Sequence, residues 1–257
     1  MITLTSDFGL KDPYVAEMKG VILGINPNAT LIDVTHEIQK FNVRMGAFVL
    51  ASVAPYFPKG TIHLAVIDPS VGTERRAIVI QTKQGYFVGP DNGVLVLAAK
   101  PQGIEHIYEL ANPKYMRSEG SSTFHGRDIF APAAAHLDKG VDPSDFGPKV
   151  TDVVKPEFVR VKQSNGSFLG EVLHIDSFGN IITNINQKLV PTAEKAIVQT
   201  PATRIEIKVA KTYAKAKLGE PIALIGSHGF MEIALNQASA AEKFHVKVGD
   251  KIAVSFA

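Results

Sequence analysis

The sequence contains no cysteine among its 257 residues, which excludes disulfide bonds, thiolate metal sites and a cysteine nucleophile. It also lacks a hydrophobic run that could span a membrane, because even the apolar stretch 45–54 is far shorter than the roughly 20 residues required. No basic segment precedes an apolar core at the start, as it would in a signal peptide. We therefore expect a cytoplasmic protein without a membrane partner.

Charge of one sign is not concentrated anywhere in the chain. The 27 Lys and Arg residues nearly balance the 25 Asp and Glu residues, giving a net charge of +2, and no block of like charges occurs. A nucleic-acid partner would require a basic patch, so none is expected. The Walker loop, the G-x-S-x-G elbow, the G-x-G-x-x-G fingerprint and H-E-x-x-H are also missing.

The first 150 residues alternate between strand patterns and helix patterns. Strands are predicted over 2–5, 30–34, 61–67, 77–81 and 86–88, and helices over 14–25, 43–56 and 128–137. Such alternation is typical of an α/β domain, with a mainly parallel sheet flanked by helices on both faces. Functional sites in these sheets lie beyond the carboxyl ends of the strands.

From about residue 150 the chain changes to short strand patterns separated by turns. Strands are predicted over 159–162, 170–175, 181–185, 204–210, 222–225, 231–234 and 251–256, without a long amphipathic helix between them. This spacing predicts a smaller all-β domain, an antiparallel barrel or sandwich. We assign the α/β N-terminal domain to 1–150, a linker to 151–168 and the β-barrel-like C-terminal domain to 169–257.

Two carboxylates follow predicted strands directly. Asp7 is suited to accept hydrogen bonds from both hydroxyls of a ribose, although turn or helix-capping aspartates are common at such positions. Asp68 begins a tight loop that returns to Arg75, seven residues later, within pairing distance. That pair is either part of a site at the strand end or an ion pair that braces the loop.

Two further segments carry residues suited to chemistry. His125 lies between Phe124 and Gly126 at the approach to a predicted helix, where a histidine can transfer protons or simply be structural. The segment 176–180 offers Phe178 and Asn180 between two strands, which suits stacking on a purine and hydrogen bonding to it. The alternative is an ordinary β-turn.

Seven short segments rich in polar and turn residues are spread along the chain: Thr5-Ser6-Asp7-Phe8-Gly9, Asp68-Pro69-Ser70-Val71-Gly72-Thr73, Gly89-Pro90-Asp91-Asn92-Gly93, Thr123-Phe124-His125-Gly126-Arg127-Asp128, Asp176-Ser177-Phe178-Gly179-Asn180, Ser227-His228-Gly229 and Asn236-Gln237-Ala238. In these segments and their order the chain resembles one known family, the S-adenosyl-L-methionine (SAM) hydroxide adenosyltransferases, which are relatives of the fluorinase and chlorinase. The resemblance covers nearly the whole chain.

The resemblance implies hydrolysis of SAM to adenosine and L-methionine by water that attacks C5′ of the ribose. SAM is then the substrate, and neither a cofactor nor a metal is required. It also implies a homotrimer, in which SAM binds between the N-terminal domain of one subunit and the C-terminal domain of the next. Asp68, Arg75 and His125 match the residues that act on water, and the substrate-binding positions are Asp7, Asp12, Phe178, Asn180, Ser227 and Ala238.

The chemistry agrees with a hydrolase. The sulfonium leaves as a neutral thioether, so the demand falls on positioning and deprotonating water. An anionic Asp68 would repel a halide, which disfavours a halogenase-like enzyme. Two positions depart from the halogenase relatives: His228 replaces an arginine near the methionine carboxylate, and Ile182 replaces an aromatic residue beside the adenine.

Two other functions stay open. One is a non-catalytic SAM or adenosine-binding protein, which would keep the pocket without turnover. The other is a metal-dependent phosphoesterase, which would take its ligands from Asp7, Asp12, Asp68, His125 and Asp128.

Overall fold

The computed structural model describes residues 1–118, 120–164 and 166–256. The chain divides into two compact units, Met1–Lys155 and Pro156–Ala257. The predicted linker, 151–168, includes Asn165, which lies outside the described residues. Its other residues include a 3-10 turn at Glu157–Val159 and a short strand at Lys162–Ser164. The domain limits drawn from the sequence stay predictions.

The first unit contains six strands and four α-helices. The strands are β1 Ile2–Ser6, β2 Leu31–Thr35, β3 Ile62–Val66, β4 Ala77–Thr82, β5 Tyr86–Pro90 and β6 Ile104–Glu109. The helices are α1 Tyr14–Ile25, α2 Val43–Val53, α3 Val96–Ala99 and α4 Ala131–Asp138.

The sheet of the first unit is mixed, so the expectation of a mainly parallel sheet is met only in part. Its strand order is β2-β1-β3-β5-β4-β6. Strands β2, β1, β3 and β5, which are adjacent in this order, pair in parallel. Strand β4 runs antiparallel to both β5 and β6. The reason is the connection, because β4 and β5 are joined by a short turn that cannot accommodate a crossover. Strand β6 was not predicted.

Helices cover both faces of this sheet, as expected. The side chains of β3 alternate between two buried clusters, and Leu64 and Val66 lie in the one that contains Met18 of α1 and residues of α4. Ala65 lies in the other, together with residues of α2 and α3. Because successive side chains point to opposite faces, a strand covered on both faces is continuously apolar. The run 61–67 is apolar because β3 is covered on both faces.

The second unit contains eight strands and one short helix. The strands are β7 Lys162–Ser164, β8 Ser167–Ile175, β9 Ile181–Asn186, β10 Lys195–Gln199, β11 Arg204–Val209, β12 Pro221–Ile225, β13 Phe230–Leu235 and β14 Lys251–Phe256, and the helix is α5 Ala240–Lys243. Strand β10 was not predicted. The predicted strand at 159–162 is wrong, because Pro156 has a fixed φ that starts the 3-10 turn at Glu157–Val159.

Seven of these strands close into a barrel. The order is β14-β10-β11-β12-β13-β9-β8-β7, and β14 also pairs with β8. Strand β7 extends β8 outside the closed ring. The pairs are antiparallel except β11 with β12. Closure leaves the ring without a free edge, so the apolar side chains of all seven strands enclose one core. No helix among the described residues is long and apolar enough to cross a membrane.

Candidate active site

Asp68, Arg75 and His125 form one contiguous cluster in the first unit. Arg75 Nε lies 3.0 Å from each carboxylate oxygen of Asp68, and its Nη2 also donates to Oδ2. The same Nη2 lies 2.7 Å from His125 Nδ1. The side chains of Asp68 and Arg75 are only 5% and 8% exposed. A charged pair this buried needs close hydrogen-bonded geometry, which this arrangement provides.

The Asp68 loop, residues 68–75, is held at both ends. Asn92 Nδ2 donates to the carbonyl of Ile67, 2.8 Å away, just before the loop. Arg76, just after it, donates from Nε to the buried carboxylate of Asp91 at 3.0 Å. Residues of the segment 89–93 therefore brace the loop. From the sequence, the segment 89–93 was predicted only as a turn. Its hydrogen bonds to the two ends of the Asp68 loop join positions far apart in the chain, so no local pattern predicts them.

Glycine is required at position 72 of this loop. Gly72 has φ +79°, and a Cβ on it would lie 2.5 Å from the carbonyl oxygen of Ser122. Both the left-handed backbone and the close approach exclude a side chain. The Asp68 loop therefore lies directly against the segment that leads to His125.

His125 precedes an unusual helix start. Residues Gly126–Phe130 form a π-helical turn, which continues into α4. The predicted helix at 128–137 therefore begins two residues early and with a wider turn than expected. Single π turns recur at functional sites, because they displace the side chains beside them. The ring of Phe130 also packs under Arg75, with 5.3 Å between Cζ and the ring centroid.

The protonation of His125 follows from its neighbours. Arg75 can only donate, so His125 Nδ1 accepts and the proton of the neutral ring lies on Nε2. Burial, followed by the positive charge of Arg75, lowers the pKa of His125 below its ordinary 6.5. The nearby carboxylates of Asp68 and Asp128 oppose this shift without reversing it. His125 is therefore neutral at neutral pH.

Asp7 lies at the same edge of the sheet. Strands β1 and β3 are parallel neighbours with Ser6 opposite Val66, so the residues that follow both strands emerge together. The ring of Phe8 contacts that of Phe124 at 5.6 Å between centroids, which joins the Asp7 turn to the segment before His125. Asp7 is buried and does not cap α1, whose N-terminal flank is Pro13. Asp12 is exposed just before that helix.

One residue beside Asp7 was missed by the sequence analysis. The backbone N–H of Phe41 donates to Asp7 Oδ2 at 2.8 Å. Phe41 has φ +64°, a conformation that a bulky residue rarely adopts, and its ring is exposed. Such backbone strain often accompanies functional positions. No local sequence signal marks it, because its contact with Asp7 joins positions 34 residues apart.

Asp128 and its neighbours form a separate structural cluster. The buried carboxylate of Asp128 accepts hydrogen bonds from Arg127 and from the backbone of Ser121, and it forms an ion pair with Arg117. Among the residues that the structure describes, no group of three or more His, Asp or Glu side chains is arranged to hold a metal ion. Asp128 therefore stabilises the residues around the start of the helical segment and does not belong to the Asp68 cluster.

In the second unit, the turn between β8 and β9 is built around Asp176. Its Oδ1 accepts the backbone N–H groups of Phe178 and Asn180, both at 2.9 Å, and its Oδ2 accepts from the side-chain amide of Asn180 at 2.9 Å. Gly179 has φ +80° and packs against Ser239, where a Cβ would meet Oγ at 2.2 Å. This rigid turn buries Asn180 and leaves Phe178 77% exposed.

The turn forms one wall of the barrel cleft, a cavity of about 600 Å³. That volume lies within the range of small-molecule sites. It brings together the predicted residues Phe178, Asn180 and Ala238. Its full lining is Asp176, Phe178, Asn180, Tyr213, Leu235, Asn236, Gln237, Ala238 and Ser239.

Tyr213 in this lining was also missed. Its hydroxyl donates to the buried carboxylate of Glu232 at 2.6 Å. Burial, and then the charge of Glu232, raise the pKa of Tyr213 above its ordinary value, so the phenol stays protonated. The contact joins positions 19 residues apart, which no local pattern reveals.

Ser227 lies outside the described lining of the cleft. It is exposed in the turn between β12 and β13. The next residue, His228, lies 3.4 Å from Glu232 through Nε2. Glu232 therefore contacts both the cleft wall at Tyr213 and the turn that carries Ser227.

Two protein-family models match the chain, one in each of its units. The family model "SAM hydroxide adenosyltransferase N-terminal domain" matches residues 2–147, and "SAM hydroxide adenosyltransferase C-terminal domain" matches residues 170–253. The chain belongs to the SAM hydroxide adenosyltransferase family. The resemblance inferred from the seven segments is thereby confirmed.

Individual relatives agree with the family. The chain is 39% identical to the (R)-S-adenosyl-L-methionine hydrolase of Methanocaldococcus jannaschii, over 100% of this chain and 96% of that protein. It is 38% identical to the enzyme of the same name from Salinispora tropica, over 99% and 97%. A fluorinase from Actinoplanes sp. is 27% identical, over 99% and 97%.

A solved structure is similar to this chain in both fold and sequence. An uncharacterised conserved protein from Thermotoga maritima superposes with a TM-score of 0.87 at 40% identity, covering 99% of this chain and 100% of that one.

Proposed function

We infer that this chain hydrolyses S-adenosyl-L-methionine to adenosine and L-methionine. The observation that carries the inference is the buried Asp68–Arg75–His125 cluster at the sheet edge. It occurs in a chain that matches (R)-S-adenosyl-L-methionine hydrolases along its whole length. The reaction needs a positioned water molecule and a proton acceptor, and the cluster supplies groups suited to both tasks.

The reaction is a displacement at C5′ of the ribose. A bond forms between the water oxygen and C5′ while the C5′–S bond breaks, and its electron pair goes to sulfur. The leaving group is the neutral thioether of methionine, so no acid is needed there. Arg75 stabilises the developing hydroxide, because its guanidinium is a fixed positive charge in a buried site.

We assign the proton to Asp68 rather than to His125. The Nδ1 lone pair of His125 is already engaged by Arg75, and Nε2 carries the ring proton. His125 therefore accepts a proton only if the bond to Arg75 breaks first. The carboxylate of Asp68 has about four lone-pair sites. Arg75 Nε is shared between the two carboxylate oxygens and the hydroxyl of Ser70 lies as far as 3.5 Å from Oδ1, so Oδ1 keeps capacity for a water proton. In this assignment His125 orients Arg75 through its Nδ1, and its Nε2–H remains as a hydrogen-bond donor.

Substrate recognition is divided between the two units. Asp7 binds the ribose hydroxyls, since the Phe41 N–H occupies only part of its acceptor capacity. Asp12 approaches the methionine amino group, and Ser227 receives the methionine carboxylate. The adenine lies in the barrel cleft, stacked on Phe178 and hydrogen-bonded by Asn180 and by backbone near Ala238. Tyr213 adds a second aromatic side chain to the same lining.

A complete site in this proposal is formed by two subunits of a homotrimer, one supplying Asp7 and the Asp68 cluster and the other supplying the barrel cleft. The support is that the ribose and adenine residues belong to different units of the chain. Size-exclusion chromatography with light scattering tests the trimer. SAM is the substrate, no separate cofactor or metal takes part, and the cytoplasmic location stays a prediction.

The decisive experiment incubates the purified protein with SAM in the presence of a chelator and in ¹⁸O-labelled water. The expected products are methionine and adenosine with the label in its 5′-hydroxyl. Adenosine without the label, or product formed only after metal is added, would contradict the mechanism. Parallel reactions with fluoride or chloride test for a 5′-halogenated nucleoside, which we do not expect because anionic Asp68 repels a halide.

A further inference from the structure

The loop between β2 and α2 closes over Asp7. Its residues 36–41 form three hydrogen bonds with residues 7–9, the turn that follows β1. The N–H of Gly9 donates to the carbonyl of His36 at 2.7 Å, the Phe41 N–H donates to Asp7 Oδ2 at 2.8 Å, and Lys40 Nζ donates to the carbonyl of Asp7. Because one contact is made to the carboxylate itself, the position of this loop decides where that carboxylate points.

Phe41 does not hold this position through favourable backbone geometry. Its φ of +64° is unfavourable for a residue with a large side chain, and its ring is largely exposed. A strained conformation persists only where the surrounding contacts impose it. Another part of the loop must therefore anchor it to the sheet. One anchor is Ile38, which is buried in the core at 2% exposure.

A second anchor is a relay of side chains that begins beside Asp7. The hydroxyl of Ser6, the last residue of β1, lies 2.7 Å from His36 Nδ1. His36 Nε2 lies 3.1 Å from Asp33 Oδ1, and Asp33 Oδ2 accepts from Lys19 at 2.6 Å. Ser6 and His36 are 1% and 4% exposed.

The direction of the bonds in this relay is determined by chemistry. A carboxylate only accepts, so His36 Nε2 carries a proton and donates to Asp33. In the neutral ring Nδ1 is then an acceptor, and the Ser6 hydroxyl donates to it. Burial opposes the charged form of Asp33, but hydrogen bonds from Lys19 and His36 outweigh it and hold the pKa of this carboxyl below its usual value. Asp33 is therefore an anion at neutral pH.

A serine, a histidine and an aspartate in series resemble a nucleophilic triad, but this geometry does not suit one. In such triads the serine bonds to Nε2 and the carboxylate to Nδ1, whereas the two ring nitrogens are exchanged here. Ser6 is also shielded from solvent, so its hydroxyl cannot reach a substrate. A positioning role is what the arrangement allows.

We propose that Ser6, His36 and Asp33 are positioning residues, which hold the 36–41 loop over Asp7 and thereby fix its carboxylate for the ribose hydroxyls. This rests on the proposed function, in which Asp7 binds the ribose of SAM. Small displacements of a binding group weaken the oriented complex strongly, so an anchor behind it affects substrate binding without touching substrate.

The sheet provides a matched control. His63 of β3 is also buried, at 2% exposure, and its Nδ1 also bonds to a hydroxyl of β1, that of Thr3 at 2.9 Å. Thr3 lies three residues before Ser6, away from the carboxyl edge of the sheet. Substitution of His63 therefore removes the same kind of bond from the same sheet without touching the 36–41 loop.

The test separates the two ends of the His36 ring. In His36→Asn the amide lies near the Nδ1 position and preserves the bond to Ser6. In His36→Gln it lies near the Nε2 position and preserves only the bond to Asp33. We expect His36→Gln to raise KM for SAM about tenfold with kcat nearly unchanged, as loss of one positioned hydrogen bond predicts. His36→Asn, which loses only the bond to Asp33, should raise KM by a smaller factor, and His63→Gln should lower the unfolding temperature without changing KM.

A second readout does not depend on activity. Amide hydrogen exchange at Gly9 and Phe41 should accelerate most in His36→Gln and less in His36→Asn, while His63→Gln keeps the wild-type rates. The proposal is overturned if His36→Gln and His63→Gln behave alike in both KM and exchange. A wild-type protein that does not hydrolyse SAM overturns the proposed function together with this inference. An active wild type with an unchanged KM in His36→Gln overturns this inference alone.

Discussion

The Asp68 cluster and the barrel cleft differ in how their side chains are prepared for a ligand. Asp68 and Arg75 are almost completely buried and already satisfy each other. Phe178, in contrast, is 77% exposed on a rigid turn. Charged groups are costly to bury, so they must be paired before the substrate arrives. An exposed aromatic ring gains its burial when a ligand covers it, which makes it suited to recognition.

The largest effect should come from the buried pair. Asp68→Asn keeps the shape of the side chain but removes its charge and its ability to take a proton. We expect kcat to fall by roughly 10²–10⁴-fold, the usual contribution of a general base, with a smaller change in KM. His125→Asn should retain more activity, because its amide oxygen still accepts from Arg75. Steady-state kinetics of both variants measure the difference.

Loss of stability must be separated from loss of chemistry in that experiment. Glu171 in the barrel is a second buried carboxylate, paired with Lys251 at 2.7 Å. Glu171→Gln should lower the unfolding temperature but keep kcat. If Glu171→Gln and Asp68→Asn reduce kcat equally, the Asp68 cluster has no special role in the reaction.

An intermediate effect is expected from the barrel cleft. Phe178→Ala removes the exposed ring, and stacking of a base on an aromatic side chain contributes about 1–3 kcal/mol. KM for SAM should therefore rise at least fivefold, while kcat and the unfolding temperature change little because the ring is exposed. Leu169→Ala, an exposed apolar residue on β8, serves as the control. A fall in kcat with constant KM would assign Phe178 to the chemistry and remove the contrast between the two regions.

The smallest effect is a shift in the titration of His125. Its pKa is lowered first by burial and then by Arg75, so the ring should stay neutral as the pH falls through 6.5 and protonate only below that value. Arg75→Gln should move the midpoint upward, and Asp68→Asn should move it downward, because Asp68 favours the charged ring. NMR of the ring protons follows both changes. A wild-type midpoint at or above 6.5 would contradict the buried electrostatics described for this cluster.

Prediction from sequence succeeded where the signal was local. The Asp68 loop has a buried apolar strand before it and turn residues within it, and Asp176 and Gly179 mark the turn that carries Phe178. These features depend on residues a few positions apart, so they are visible in the order of the amino acids. The order of the seven segments along the chain then indicated the family.

Prediction failed where the structure depends on distant pairing. The pairing of β4 with β6, the pairing of β10 with β14 and the closing pair of β8 with β14 join strands that are far apart in sequence. Phe41 was missed for the same reason, since its contact with Asp7 joins positions 34 residues apart.

The sequence by itself determined the two kinds of secondary structure, the turns that carry the candidate residues and membership of the SAM hydroxide adenosyltransferase family. Only the tertiary structure decided that Arg75 joins Asp68 to His125, that Tyr213 enters the barrel cleft and that His36 anchors the loop over Asp7. The physical reason is that burial of a polar side chain obliges it to find a hydrogen-bond partner. Which partner it finds depends on the packing of segments that the chain order does not bring together.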